Sequence, residues 1–364
     1  MTSIENICVS RLRIPLTQPY KLSLGAVRHF DTILVELAVD GNAGLGEATI
    51  LNGYTDETIE DSWALAKSLA ERLNGRTIAA VDSVLDEKLR HAAPFTFTAF
   101  ATAIEMARGA PMLDLKHDVA VPLLCGINSV EEPGIEREIE AAVAAGFRTL
   151  KIKVGFDVAA DLRRVAFIQR VNRGRAALRI DANQGYSRKD ACTFVSGISA
   201  DSVELIEQPS DAKDWAAAEA AIKATALPLM LDESIYGIPD IERAARIGAH
   251  YVKLKLMKCG SLGELARGLD RIRELGMKPV LGNGVASDIG CWMEACVASA
   301  KIDNAGEMNG FLRQKASVVL DPMPVVDGAI KLKAHCLPAL SDRKLDEFTI
   351  DRAGTGARMT EITL

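Results

Sequence analysis

Three carboxylates recur at matching places along this chain. Asp181, Glu207 and Asp232 stand at the C-terminal ends of ALRID (177–181), SVELIE (202–207) and LMLDE (229–233), at intervals of 26 and 25 residues. Taken singly, each acid would serve as a helix N-cap or an ion-pair partner. Their recurrence at successive segment ends points instead to a metal site, because hard carboxylate oxygens suit Mg2+, with Mn2+ as an alternative. Lysines flank the same series: Lys151 and Lys153 in TLKIK, and Lys253 and Lys255 in YVKLKL. Residues two apart on a strand point to one side, so one lysine of each pair can approach a bound substrate from opposite faces. The bland alternative has these lysines snorkelling from the fold or balancing nearby acids.

Carboxylates with lysines suit one problem in particular, the removal of a proton next to a carboxylate. Deprotonation adds charge to a group that is already anionic, and a bound cation stabilises the resulting ene-diolate. A neutral lysine accepts the proton, and a charged one opposite donates a proton or stabilises the oxyanion.

Such groups must be brought together by the elements that carry them. From about residue 119 the chain alternates short apolar strands with helical stretches: VPLLC (121–125), TLKIK, ALRID, SVELIE, LMLDE, YVKLKL and KPVLGN (278–283), with a last strand expected near Lys301–Asn304. Alternation of this kind implies parallel βαβ units, and its length favours a closed α/β barrel over an open sheet. In a barrel the C-terminal strand ends share one mouth, which brings the three acids together. Residues 1–118 read as an α+β domain, with a strand over Thr32–Val39, a turn at Asp40–Ala43, and helices over Thr58–Leu73, Val81–Leu89 and Thr98–Met106. Residues 119–320 form the barrel, and 321–364 are expected to return and pack on the first domain.

The composition removes other classes. With a formal net charge of −6 and no cationic cluster, the sequence argues against a nucleic-acid partner. No segment supplies the roughly 18 consecutive apolar residues of a membrane span, and the start lacks a signal-peptide pattern. Seven cysteines without CxxC spacing fit reduced thiols in a cytoplasmic protein, with Cys259 read as buried near a strand end.

KIK (151–153), DANQG (181–185), IEQP (206–209), LDES (231–234) and KLKLMKCG (253–260) together resemble the muconate-lactonising branch of the enolase superfamily. The resemblance spans nearly the whole chain. It implies a modified TIM barrel, (β/α)7β, with an N-terminal α+β capping domain. It implies metal ligands at Asp181, Glu207 and Asp232, catalytic lysines at Lys153 and Lys255, Lys151 near the substrate carboxylate, and Asn183 orienting the metal site. It also implies a homo-oligomer. GNGVAS (282–287) has no histidine where the histidine-base branch places one.

The product is left open by these residues. Racemisation or epimerisation, muconate-type cycloisomerisation and syn-dehydration of a hydroxy acid all pass through the same intermediate, and a non-catalytic carboxylate-binding protein is the alternative of another class. Substrate contacts are expected from two cap loops, 19–30 and 50–58, with Tyr20, Arg28, His29 and Tyr54 as candidates. Tyrosine also covers apolar surface, and Arg28 or His29 also pairs with exposed acids. NAGEMNGF (304–311) offers Glu307, which resembles a glutamate after the last strand of muconate cycloisomerases. The paired aspartates associated with dipeptide epimerases do not appear there.

Overall fold

The computed structural model describes residues 2–22, 25–51 and 54–355. Its strands are β1 (Ile4–Leu22), β2 (Gly25–Val39), β3 (Asn42–Ile50), β4 (Val119–Pro122), β5 (Cys125–Ile127), β6 (Thr149–Lys153), β7 (Ala177–Asp181), β8 (Val203–Glu207), β9 (Leu229–Leu231), β10 (Tyr251–Leu254), β11 (Lys278–Leu281), β12 (Val325–Val326), β13 (Ala329–Leu332) and β14 (Thr349–Gly354).

An antiparallel sheet of order β14-β1-β2-β3 carries the N-terminal part. Its apolar residues join those of helices Ile59–Leu73 and Pro94–Ala107 in one core containing Phe30, Trp63, Phe95 and Phe100. Thr58 caps the first of these helices by accepting from the Asp61 N–H. β14 pairs antiparallel with β1, with Cys8 opposite Gly354, so the C-terminal strand completes this sheet.

Seven parallel strands follow in the order β11-β10-β9-β8-β7-β6-β5, making an α/β unit with helices between successive strands. Side chains alternate along them with period two. One set of positions, Leu205, Met230, Tyr251 and Val280, forms a small apolar cluster of its own, while intervening residues such as Ile206, Leu229, Leu231 and Val252 belong to the large core packed against the helices. The sheet curls. Glu307 N donates to Leu281 O (3.0 Å), Gly306 N to Pro122 O (2.9 Å) and Leu124 N to Gly306 O (3.0 Å), so one segment contacts the end of β11 and the chain just ahead of β5. Fully buried Arg179 on β7 reaches the same segment, donating to Ala305 O (2.7 Å) while pairing with Glu204 (2.9 Å).

Several expected boundaries move. VPLLC divides: β4 pairs with β13 in a side sheet of order β12-β13-β4, and β5 begins the parallel series. An apolar run carries no label for the sheet it joins. The last strand expected near Lys301–Asn304 does not form there, because helix Asp288–Lys301 runs through Lys301; the chain instead makes an isolated bridge between Gly306 and Leu123. The expected helix over Val81–Leu89 is two short ones, Ile78–Val81 and Glu87–Ala92, the second capped by Asp86. The 19–30 segment is a hairpin extension of β1 and β2, with Tyr20 opposite Val27; a register irregularity between Pro15 and Tyr20 absorbs Pro19, which has no N–H to give. Ser23, Leu24, Asn52 and Gly53 of the two cap loops lie outside the described residues.

β3 joins the two halves. Glu47 projects to the N-terminus of helix Asp288–Lys301, where it accepts from Ser287 N (2.6 Å) and from the Ser287 hydroxyl. Burial pushes this carboxyl up to about 7 despite those donors. Beside it, a methyl group on Gly46 would overlap the carbonyl oxygen of Ala99.

Two outcomes follow. Gly46→Ala should cost about 1–3 kcal/mol through overpacking, read as a lower urea midpoint at unchanged slope. Because the folded Glu47 binds a proton that the unfolded chain releases near 4.5, stability should fall as pH rises from about 4.5 to about 7, by at most about 3 kcal/mol. The stability difference between the parent and Glu47→Gln should therefore change across that window; a constant difference would contradict it.

Candidate active site

The same alternation that builds the strand layers places charged residues at the strand C-termini. Lys153 is directly opposite Asp181 in the β6–β7 register, and Asp181 directly opposite Glu207 in β7–β8. Lys151, Lys153, Asp181, Asp232, Lys253, Lys255 and Glu307 line one cleft together with Asn183 and Tyr54. A larger cavity of about 710 Å3 lies elsewhere, beside Asp40, Thr77 and Arg108, and holds none of these groups. Chemistry rather than size marks the site.

Inside the cleft, ammonium groups stand among carboxylates. Lys151 Nζ lies 2.9 Å from Asp181 Oδ2, 2.9 Å from Glu207 Oε2 and 2.8 Å from Glu307 Oε2. Lys253 Nζ lies 3.1 Å from Glu207 Oε1 and 3.5 Å from Asp232 Oδ2, and it also contacts Glu307. Lys153 Nζ pairs with Asp181 Oδ2 at 2.6 Å and contacts Asn183; Lys255 Nζ pairs with Asp232 Oδ2 at 2.8 Å. Lys153 is 42% exposed at its side chain and Lys255 only 6%, so the first opens toward solvent and the second is enclosed.

These contacts decide the protonation states. Burial would raise the Asp232 carboxyl, but Lys255, Lys253 and Lys258 hold it well below its ordinary value. Burial likewise opposes Asp181, which Lys151 and Lys153 bring to about 2. Glu207 goes the other way, to about 7, because burial and neighbouring Asp181 outweigh its lysines. Burial pulls Lys255 down, and Asp232 more than compensates, leaving it raised.

Loop residues fix the frame. Gln208 accepts from Asp232 N (3.0 Å) and donates to Ser234 Oγ (2.8 Å), which ties the IEQP segment to the LDES segment. Asn183 N donates to Asp181 Oδ1 (2.8 Å), and Asn183 Nδ2 to Glu233 Oε1 (2.9 Å). Gly155, with φ of 100°, allows the loop after β6 to pass the backbone at Ala182, where a Cβ would collide. Asp161 receives the N–H groups of Gly155, Phe156 and Asp157 and the Tyr186 hydroxyl, shaping the turn beyond Lys153.

From the N-terminal sheet side, the Tyr54 ring lies 5.1 Å from Lys255 Nζ, and its hydroxyl is 2.8 Å from that of Tyr20. His29 instead faces Asp31 at 3.4 Å beside Arg13, and neither it nor exposed Arg28 lines the cleft. Lys253, paired with Lys255 in the sequence, sits among the acids rather than at the end of their row, while Lys258, Glu233 and Gln208 join the site without having been singled out by spacing. Lys258 sits three residues after Lys255 and Glu233 follows Asp232, so adjacency was the available signal. Cys259 is half-buried at the end of the short helix Leu256–Cys259 rather than buried at a strand end, and desolvation pushes its thiol up to about 12.

With the geometry in view, comparison with known proteins is decisive. Residues 134–343 match the enolase C-terminal domain-like family. The chain belongs to the enolase superfamily, in its muconate-lactonising-like branch. The L-Ala-D/L-Glu epimerase of Bacillus subtilis is 29% identical over 82% of this chain and 85% of its own length. The dipeptide epimerase of Cytophaga hutchinsonii, solved with Mg and D-Ala-L-Val, superposes with a TM-score of 0.85 at 21% identity, covering 96% of this chain and 99% of that one. The muconate lactonizing enzyme of Pseudomonas fluorescens, solved with muconolactone, gives 0.85 at 23% identity over the same shares. This enolase-superfamily protein is accordingly an isomerase.

Glu307, like Glu207, contacts both Lys151 and Lys253, so its removal takes one carboxylate partner from each buried ammonium. Glu307→Leu should destabilise the metal-free protein by about 3–5 kcal/mol in urea unfolding. A loss below about 1 kcal/mol would show that the cluster does not depend on it.

Proposed function

We propose that this isomerase racemises or epimerises a small carboxylate by α-proton transfer between Lys153 and Lys255, with Mg2+ held by Asp181, Glu207 and Asp232. The carrying observation is the placement of the two lysines at opposite ends of the row of acids, Lys153 on Asp181 and Lys255 on Asp232. In this reading residues 119–320 are a (β/α)7β barrel, 1–118 its cap, and 321–364 a return onto the cap.

The donor set fits a hard divalent cation in its chemistry. Glu207 Oε2 and Asp232 Oδ1 are buried and receive no hydrogen bond, although each lies near an ammonium. Among the described residues no three acids already converge as a metal requires, and Lys151 and Lys253 stand between them. Those ammoniums must move aside for the three carboxylates to share one ion. When bound, Mg2+ supplies positive charge to the substrate carboxylate as it becomes an ene-diolate.

The chain's own groups do the rest. Lys151 attracts the substrate carboxylate beside the acids. On one face Lys153 Nζ, as the neutral amine, takes the α-proton; on the other Lys255 Nζ, as the ammonium, delivers one, and the roles reverse for the opposite epimer. Tyr54, backed by Tyr20, covers Lys255 and excludes water from that face. Relatives that are dipeptide epimerases favour an amino-acid derivative or dipeptide over a muconate-like acid.

The test incubates the protein with Mg2+ in 2H2O and a panel of dipeptides, N-succinyl amino acids, muconate-like acids and hydroxy acids. Deuterium at the α-carbon with epimer formation supports the proposal. A lactone or loss of water assigns cycloisomerisation or dehydration instead. Lys153→Ala and Lys255→Ala should each slow epimerisation by about 100-fold or more; normal turnover in both would sink the two-lysine mechanism.

A further inference from the structure

Helix Asp288–Lys301 is buried along most of its length, and Glu294 lies at its middle with no exposed surface. A carboxylate there is costly unless fully hydrogen-bonded. Its partners are few and specific. Leu256 N donates to Glu294 Oε1 at 2.9 Å, and Asn283 Nδ2 lies 3.1 Å from each carboxylate oxygen. Asn283 Oδ1 in turn accepts from Val285 N (3.0 Å) and Ala286 N (2.7 Å), so its orientation is set and its amide must point at Glu294.

Leu256 directly follows Lys255, which is the N-cap of the one-turn helix Leu256–Cys259. The first N–H groups of a helix have no partner within it, and here Lys255 offers no side-chain cap. Glu294 supplies the acceptor. The peptide joining Lys255 to Leu256 is thereby fixed at one end of the Lys255 side chain, while Asp232 holds Nζ at the other. Lys153 has a separate anchor, since Arg164 Nη1 donates to Lys153 O at 2.6 Å.

We propose that Glu294 is a positioning residue for Lys255, fixing through the Leu256 N–H where Lys255 Nζ stands, without touching substrate. The inference rests on the two-lysine reading above. It assigns the two faces of the reaction to different supports: Glu294 serves only the Lys255 face. Displacing a proton-transfer group by about 1 Å can cost roughly 100-fold in rate, so the effect is large enough to measure.

The experiment follows α-proton exchange in 2H2O with Mg2+, starting separately from each epimer of the panel compound that the parent protein exchanges fastest. Lys255→Ala identifies the epimer whose proton faces Lys255, because only that epimer should stop exchanging. Glu294→Leu should slow the same epimer by about 100-fold and leave the other within about threefold. Glu294→Gln keeps an acceptor for Leu256 N but loses one of the two oxygens facing Asn283 Nδ2, so it should slow that same epimer by an intermediate factor of about tenfold, and it carries the test if the leucine variant does not fold. Equal slowing of both epimers in Glu294→Gln, or no change in either variant, overturns the positioning role. If Lys255→Ala spares both epimers, or the parent exchanges no panel member, the two-lysine reading itself fails and this inference with it.

Discussion

Everything at this site depends on the burial of opposite charges together at the ends of parallel strands. Lys151, Lys153, Lys253, Lys255 and Lys258 face Asp181, Glu207, Asp232, Glu233 and Glu307. Apart from Lys153, which opens toward solvent, each group alone would be disfavoured by its desolvation cost; together they persist because each has a partner. Asp232 offsets the pull of burial on the enclosed Lys255, and Glu207 carries the least compensated charge.

The remaining structure serves to hold that cluster in place. Period-two alternation separates the helix-facing core from the charged positions, and Arg179 with Glu204 braces the curled sheet below the cleft. Side-chain to backbone bonds set the strand-end loops: Gln208 to Asp232, Asn183 to Asp181, Glu294 to Leu256. Glu47 extends this hold from the antiparallel sheet to the helix that carries Glu294.

The sequence made the acids and paired lysines legible because their spacing follows the repeat of the strands that carry them. It also carried the motifs that identify the superfamily. Other features depend on contacts between distant segments, which spacing does not encode. VPLLC is equally apolar whether it pairs with β13 or with β6, and the single bridge at Gly306 has no periodicity to find. Arg28 and His29 share a segment with Tyr20, yet Arg28 is exposed and His29 meets Asp31, so neither lines the cleft. Glu294 was silent because nothing local in the helix sequence CWMEACVASA shows that its carboxylate meets the residue after Lys255.

The claim that the balanced cluster is a cation site is tested most directly by anomalous diffraction from crystals of this protein soaked in Mn2+. One peak is expected, within about 2.0–2.6 Å of oxygens from Asp181, Glu207 and Asp232, with the Lys151 and Lys253 ammoniums withdrawn from between them. No peak there at saturating Mn2+, with those lysines still seated among the acids, would contradict the account.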